Sequence, residues 1–92
     1  MRSWALADLA VAQAKAGDIK ASQSTFTLAL NSAKTNEDAF SRSWALRFIA
    51  VAQAKAGDIK AAFATAKTIE DAFSRSGALS GIAEALSSVK SE

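Results

Sequence analysis

Two acidic pairs, Glu37-Asp38 and Glu70-Asp71, are the residues of this 92-residue chain whose types first suggest chemistry. Paired carboxylates can hold a metal or trade protons. Adjacent residues do not share a helical face, however. Each aspartate also lies four residues before an arginine, Asp38 before Arg42 and Asp71 before Arg75. That spacing predicts a repeated structural ion pair across a turn rather than a reaction centre. The chain has no His, Cys or Tyr, which removes nearly every nucleophile–base pairing and the common zinc sites. Serine is plentiful, but no Gly-x-Ser-x-Gly elbow occurs, and Ser80 in Leu79-Ser80-Gly81 stands alone. No glycine-rich loop is available to cradle a phosphate. The expectation is a protein that is not an enzyme and that uses no metal or cofactor.

The elements that carry these residues are repeated. Residues 2–22, RSWALADLAVAQAKAGDIKAS, return as RSWALRFIAVAQAKAGDIKAA at 42–62, with 17 of 21 positions identical at an offset of 40. AKTNEDAFSRS at 33–43 returns as AKTIEDAFSRS at 66–76, with 10 of 11 identical at an offset of 33. A third copy opens at Arg75-Ser76 and continues through Ala78-Leu79 and Ile82-Ala83. Self-similarity at a fixed period is the mark of a repeat architecture. The organisation read from it is one domain over 1–92. Repeat 1 covers about 2–41 and carries seven extra residues within 23–32. Repeat 2 covers about 42–74, and a C-terminal half-repeat or cap covers 75–92.

Each unit reads as a helical hairpin. Leu6, Leu9, Ala10 and Gln13 fall on one face, as do Leu46, Ile49, Ala50 and Gln53. Gly17 and Gly57 suit the left-handed position that ends a helix, and Asp18 and Asp58 suit the cap of the next. The second helix of repeat 2 is expected over about Asp58–Phe73, with Ile59, Ala62, Phe63, Ala66, Ile69 and Phe73 as its stripe. A break at Ser74-Arg75-Ser76 would start the following helix with a serine cap. In repeat 1 the stripe is Ile19, Ser22, Phe26, Ala29, Leu30, Ala33, Glu37 and Phe40. Seven residues are nearly two helical turns, so the insertion keeps phase and a second helix two turns longer is expected. The alternative is a break near Thr25–Ser32. The absence of proline and the four glycines suit helices joined by short turns. The fold class is therefore all-α, an α-solenoid of about two and a half antiparallel helix-turn-helix repeats with five helices.

This pattern resembles the tetratricopeptide repeats, whose unit is about 34 residues of helix-turn-helix. Leu6, Ala10, Gly17 and Ile19 fit that family's spacing, as do Leu46, Ala50, Gly57, Ile59 and Ala62. Gln13 and Gln53 depart from it where an aromatic is common, and no proline closes the unit. The resemblance implies a non-enzymatic scaffold that presents a concave groove to a peptide or protein. It also directs attention to where the copies differ: Ala7-Asp8 becomes Arg47-Phe48. Trp44, Arg47, Phe48 and Val51 lie at i, i+3, i+4 and i+7, away from Leu46 and Ile49. Trp, Arg and aromatic residues anchor interfaces, so the candidate protein-binding residues are Trp4, Val11, Trp44, Arg47, Phe48 and Val51. The competing reading is that the aromatics pack on neighbouring helices.

Near-identical copies also leave open either a piece of a longer array or a very small complete one, with the third first-helix, Ser76–Ser88, as the cap of the stack. Ser80, Glu84, Ser87 and Ser88 would be the polar outer face that a cap needs. The alternative function is self-association as a homodimer or higher homo-oligomer, in which an overhanging apolar stripe on the long second helix pairs with a second chain or exchanges elements with it. Nucleic acid is not expected as a partner, because eleven Lys and Arg against nine Asp and Glu are dispersed, although the pI is about 9.2. Lys15, Lys55, Lys20 and Lys60 read as a solvated face rather than a basic rim. No apolar run approaches the ~20 residues that span a bilayer, and Met1-Arg2-Ser3-Trp4 has no signal-peptide pattern. A membrane is therefore not expected as a partner, and the compartment expected is the cytoplasm.

Overall fold

The computed structural model describes the backbone of residues 2–91 and the side chains of residues 4–87. Five helices follow one another: α1 (Arg2–Lys15), α2 (Ile19–Lys34), α3 (Ala39–Lys55), α4 (Ile59–Lys67) and α5 (Ala72–Ser91). No strand occurs among the described residues, and none of their helices is long and apolar enough to cross a membrane. The molecule measures 36 × 24 × 18 Å along its principal axes.

The Gly-Asp turns behave as their chemistry dictates. Gly17 and Gly57 have φ of 89° and 91°, where a side chain would be strained. The Asp18 and Asp58 amides reach back to the carbonyls of Gln13 and Gln53, while the Gly17 and Gly57 amides bond Ala14 and Ala54. That pattern satisfies carbonyls left over at the end of a helix. Each aspartate then caps the next helix, with its carboxylate accepting from the amide of Ala21 or Ala61 at 3.2 Å. Glutamines 13 and 53 lock the hairpins: their Oε1 atoms accept from Thr25 Oγ1 at 2.7 Å and Thr65 Oγ1 at 2.6 Å. A glutamine thus serves where the resemblance leads one to look for an aromatic.

The Gln–Thr pairs also locate the insertion. Thr25 and Thr65 are equivalent at an offset of 40, so the extra seven residues follow Thr25. They continue α2 as unbroken helix for two more turns. Those turns do not overhang with a bare stripe, because Phe26, Ala29 and Ala33 are buried and Leu30 is half-buried.

Four local expectations need correction. First, α4 does not run to Phe73. It ends at Lys67, and Thr68–Asp71 form a turn that buries Ile69. Phe73 and its counterpart Phe40 lie in the first turns of α5 and α3 and are 76% and 66% exposed. Second, the cap of each following helix is an aspartate, not a serine. Asp38 accepts from the amide and hydroxyl of Ser41 at 3.0 and 2.8 Å, and Asp71 accepts from the Ser74 amide at 2.8 Å. The two helices therefore start three residues before the repeat boundaries expected at 42 and 75. Third, the arginines brace the turn rather than pairing with those aspartates. Arg42 Nη1 donates to Asn36 O at 2.7 Å, and Arg75 Nη1 donates to Ile69 O at 2.8 Å. The ion pair of Arg42 is with Glu70, at 3.7 Å. Glu70 is mostly exposed, so that pair adds little stability.

The fourth correction concerns the apolar face of α1. Leu46, Ile49, Ala50 and Gln53 are all buried in α3, but in α1 Leu9 is 50% exposed. The reason lies in the packing order. α3 touches α1, α2, α4 and α5, whereas α1 touches only α2 and α3. Among the described residues α1 does not reach α5, nor α2 reach α4. Ile49, Ile69 and Ile82 are the largest fully buried side chains, and most of the remaining core is alanine. Burying each isoleucine contributes roughly 1.5–3 kcal/mol, so close helix approach across alanine must supply the rest.

The turn aspartates give the fold an acid-sensitive element. The Ser41 amide, then the Ser41 hydroxyl and the Arg42 charge, hold Asp38 below the ordinary value of 3.8. The Ser74 amide and hydroxyl, with Arg75, do the same for Asp71. A folded-state pKa lowered in this way contributes stability above the unfolded value and loses it as pH falls through the folded one. Asparagine caps nearly as well but does not titrate in this range. Thermal melts of the Asp38→Asn/Asp71→Asn variant should therefore lose less between about pH 4 and about pH 2 than those of the unmodified chain.

Candidate interaction surface

The first helices of the three units, α1, α3 and α5, carry the candidate residues. Trp4 of α1 stacks on Phe48 of α3, with ring centroids 5.2 Å apart and planes 19° apart. Arg47 places its guanidinium carbon 5.1 Å from the centroid of Trp44, which is cation–π range. Trp4 and Trp44 remain 40% and 45% exposed, and Val11, Arg47, Phe48 and Val51 are half-buried. Packing on neighbours and exposure to solvent thus coexist in the same side chains.

The six candidates do not form one patch. Val11, Phe48 and Val51 line an open cleft of about 420 Å³ between α1 and α3, and Trp4 joins them through its stack on Phe48. The cleft floor is apolar, completed by Ala12 and Ala52, while Lys15, Lys55 and Asp8 supply charge around it. Both lysines sit in the last turns of their helices, where the helix dipole favours a cation. Trp44 and Arg47 form a separate pair, and Arg47 lies against Gly77 of α5.

Two glycines set the packing of the second seam, between α3 and α5. Gly77 and Gly81 stand one repeat after Trp44 and Phe48. A methyl group at Gly77 would lie 2.6 Å from Cζ of Arg47, and one at Gly81 would lie 2.5 Å from Cγ2 of Val51. The missing side chains let α5 close onto α3, while the stacked Trp4 and Phe48 rings occupy the seam between α1 and α3. The two seams therefore differ because large residues at two repeat positions become glycine in the third copy. Reading the copies against each other at an offset of 33 exposes that change, and it was the signal for both glycines. Lys15 and Lys55 were weighed as solvated residues, and their place beside the cleft follows only from the packing of α1 on α3.

The acidic pairs take other roles. Asp38 and Asp71 are spent on helix caps. Among the described residues no group of three acidic, His or Cys side chains converges as a metal ligand set. A smaller hollow of about 180 Å³ beside Lys34, Arg42 and Glu70 is polar and contains the Arg42–Glu70 pair. No protein family, curated protein or solved structure matches the chain.

The two glycines should respond differently to alanine. Within a helix, Gly→Ala alone is favourable by about 1 kcal/mol. At Gly77 the obstacle is the end of a flexible side chain. The Gly77→Ala variant should therefore hold or gain stability while Arg47 leaves Trp44, which shifts tryptophan fluorescence. At Gly81 the obstacle is a β-branched residue with little rotamer freedom on a helix. Gly81→Ala should push α5 off α3 and cost about 1–3 kcal/mol before the helix gain. Urea denaturation of both variants checks the order, and a Gly81→Ala protein more stable than its parent would contradict this reading of the seam.

Proposed function

We propose that this chain is a short helical-repeat scaffold that binds a segment of a protein or peptide in the cleft between α1 and α3. Its sequence pattern resembles the tetratricopeptide repeat, and the packing of consecutive hairpins on α3 is consistent with a solenoid. The function is non-enzymatic and placed in the cytoplasm. One observation carries the reading: Val11, Phe48 and Val51 line an open apolar cleft flanked by exposed tryptophan. Such a floor takes an apolar side chain of a partner, and burying one contributes roughly 1.5–3 kcal/mol. Lys15 and Lys55 suit a partner segment with carboxylates beside that anchor. Trp44 and Arg47 would meet the same partner only if it continues past α3.

The seam also accounts for the divergence between copies. The change from Ala7-Asp8 to Arg47-Phe48 puts a ring where α3 meets α1 and nothing comparable where α1 faces outward. The floor is formed by side chains of two rigid helices, so the cleft requires little ordering on binding.

A random-peptide display library selected on the chain provides the probe. Selected peptides should bind the Phe48→Ala variant at least about tenfold more weakly, a loss of about 1.4 kcal/mol. Its circular dichroism should stay close to that of the unmodified chain. The Leu28→Ala variant, altered at an exposed site on α2, should bind as the unmodified chain does. Peptides that bind both variants equally would place the docking surface elsewhere.

A further inference from the structure

The repeats place the same residues in three different settings. Ala45, Ile49 and Ala52 of α3 are buried, and so are Ala78, Ile82 and Ala85 of α5, and each of these helices packs on a helix of the preceding hairpin. The matching strip of α1 is Ala5, Leu9 and Ala12, and all three are exposed. At the other end, Leu79 and Ala83 of α5 are exposed, although their counterparts Leu46 and Ala50 are buried. The two ends of the stack thus display uncovered portions of its own internal packing surfaces. A second copy could seat its α1 strip on α5 in the register that α1, α3 and α5 already use. Such a contact is head-to-tail and does not close, so it would propagate.

The internal contacts say which residues would meet in that register. Val51 of α3 lies against Gly81 of α5, and Val11 of α1 shares a cleft with Phe48 of α3. One repeat position, occupied by Val11, Val51 and Glu84, therefore faces the position occupied by Asp8, Phe48 and Gly81 in the following helix. Within the chain both meetings are apolar. Between copies the same meeting brings Glu84 of one chain to Asp8 of the next. Both side chains are exposed in the single chain. Two like charges at the centre of a contact disfavour it strongly.

We propose that Asp8 and Glu84 close the two ends of the stack against a second copy of this chain. They are the residues that keep a surface built to pack on itself from growing into a chain of copies. The two carboxylates would oppose each other, each at a position where an internal copy carries an apolar residue. Asp8 also borders the cleft between α1 and α3, whereas Glu84 is not among its lining residues.

The test is mass in solution by light scattering on a sizing column, with the full chain between about 10 µM and about 1 mM. The unmodified chain should stay at the 9.6 kDa monomer mass throughout. The Asp8→Phe/Glu84→Val variant, which copies the internal residues onto both ends, should at least double in mass and keep growing with concentration. Asp8→Lys should also associate, now through attraction to Glu84, and should return to monomer at about 1 M salt, where the Debye length is near 3 Å. Circular dichroism confirms that each variant is folded. Association of the unmodified chain would overturn the proposal. So would folded variants that both remain monomeric.

Discussion

Close approach of helices across alanine is the constraint on which the rest of the structure depends. α3 is packed on four other helices, and Ala45, Ala50, Ala52 and Ala54 are buried along it, with Leu46 and Ile49 as the only large apolar residues among its buried set. A core this thin gains little from any one side chain. It gains from having no gaps, since packing density decides how much dispersion is realised. The two Gln–Thr bonds inside the hairpins matter for the same reason. They satisfy polar groups at buried or half-buried positions without holding the helices apart. None of the described buried side-chain polar atoms lacks a partner.

That constraint makes the exceptions to alanine informative. Where the first helices meet on one side of α3, two rings are inserted and a cleft stays open below them. Where they meet on the other side, the α5 counterparts of Trp44 and Phe48 are glycine and the seam is filled by Arg47 and Val51. Substitutions at two repeat positions therefore turn one hairpin stack into a molecule with two unlike seams. The proposed binding role rests on the first seam. The order of α5 against α3 rests on the second.

Much of the fold was legible in the sequence because its signals are local. Gly17-Asp18 and Gly57-Asp58 define their turns through one positive φ and one cap. The insertion kept the helical phase and so read correctly as two more turns. The second turn was misread for an equally local reason. Asp38 and Asp71 each have an arginine four residues on, which mimics a helical ion pair. Ile69 and Phe73 also continue the apolar spacing of α4 through the break. Only the three-dimensional turn shows the arginines bonding carbonyls and Ile69 folding inward. The site was legible in part. Comparing copies singles out Arg47 and Phe48, and helical spacing adds Trp44 and Val51, whereas the division of the candidates between two seams depends on contacts between helices, which no spacing reveals. Leu9 and Ile49 show the same limit: near-identical helices differ in burial because one has neighbours on both sides.

The central claim is that place in the stack, rather than the repeat sequence, decides what a residue does. Ala50 and Ala83 occupy the same repeat position, the first fully buried and the second exposed. Valine at either site carries the same small helix-propensity cost of about 0.5 kcal/mol, so their difference isolates packing. The measurement is the urea unfolding free energy of Ala50→Val and Ala83→Val. The account expects the buried substitution to cost about 1–3 kcal/mol more, the usual penalty for extra methyl groups in a full core. Equal costs at the two positions would contradict it.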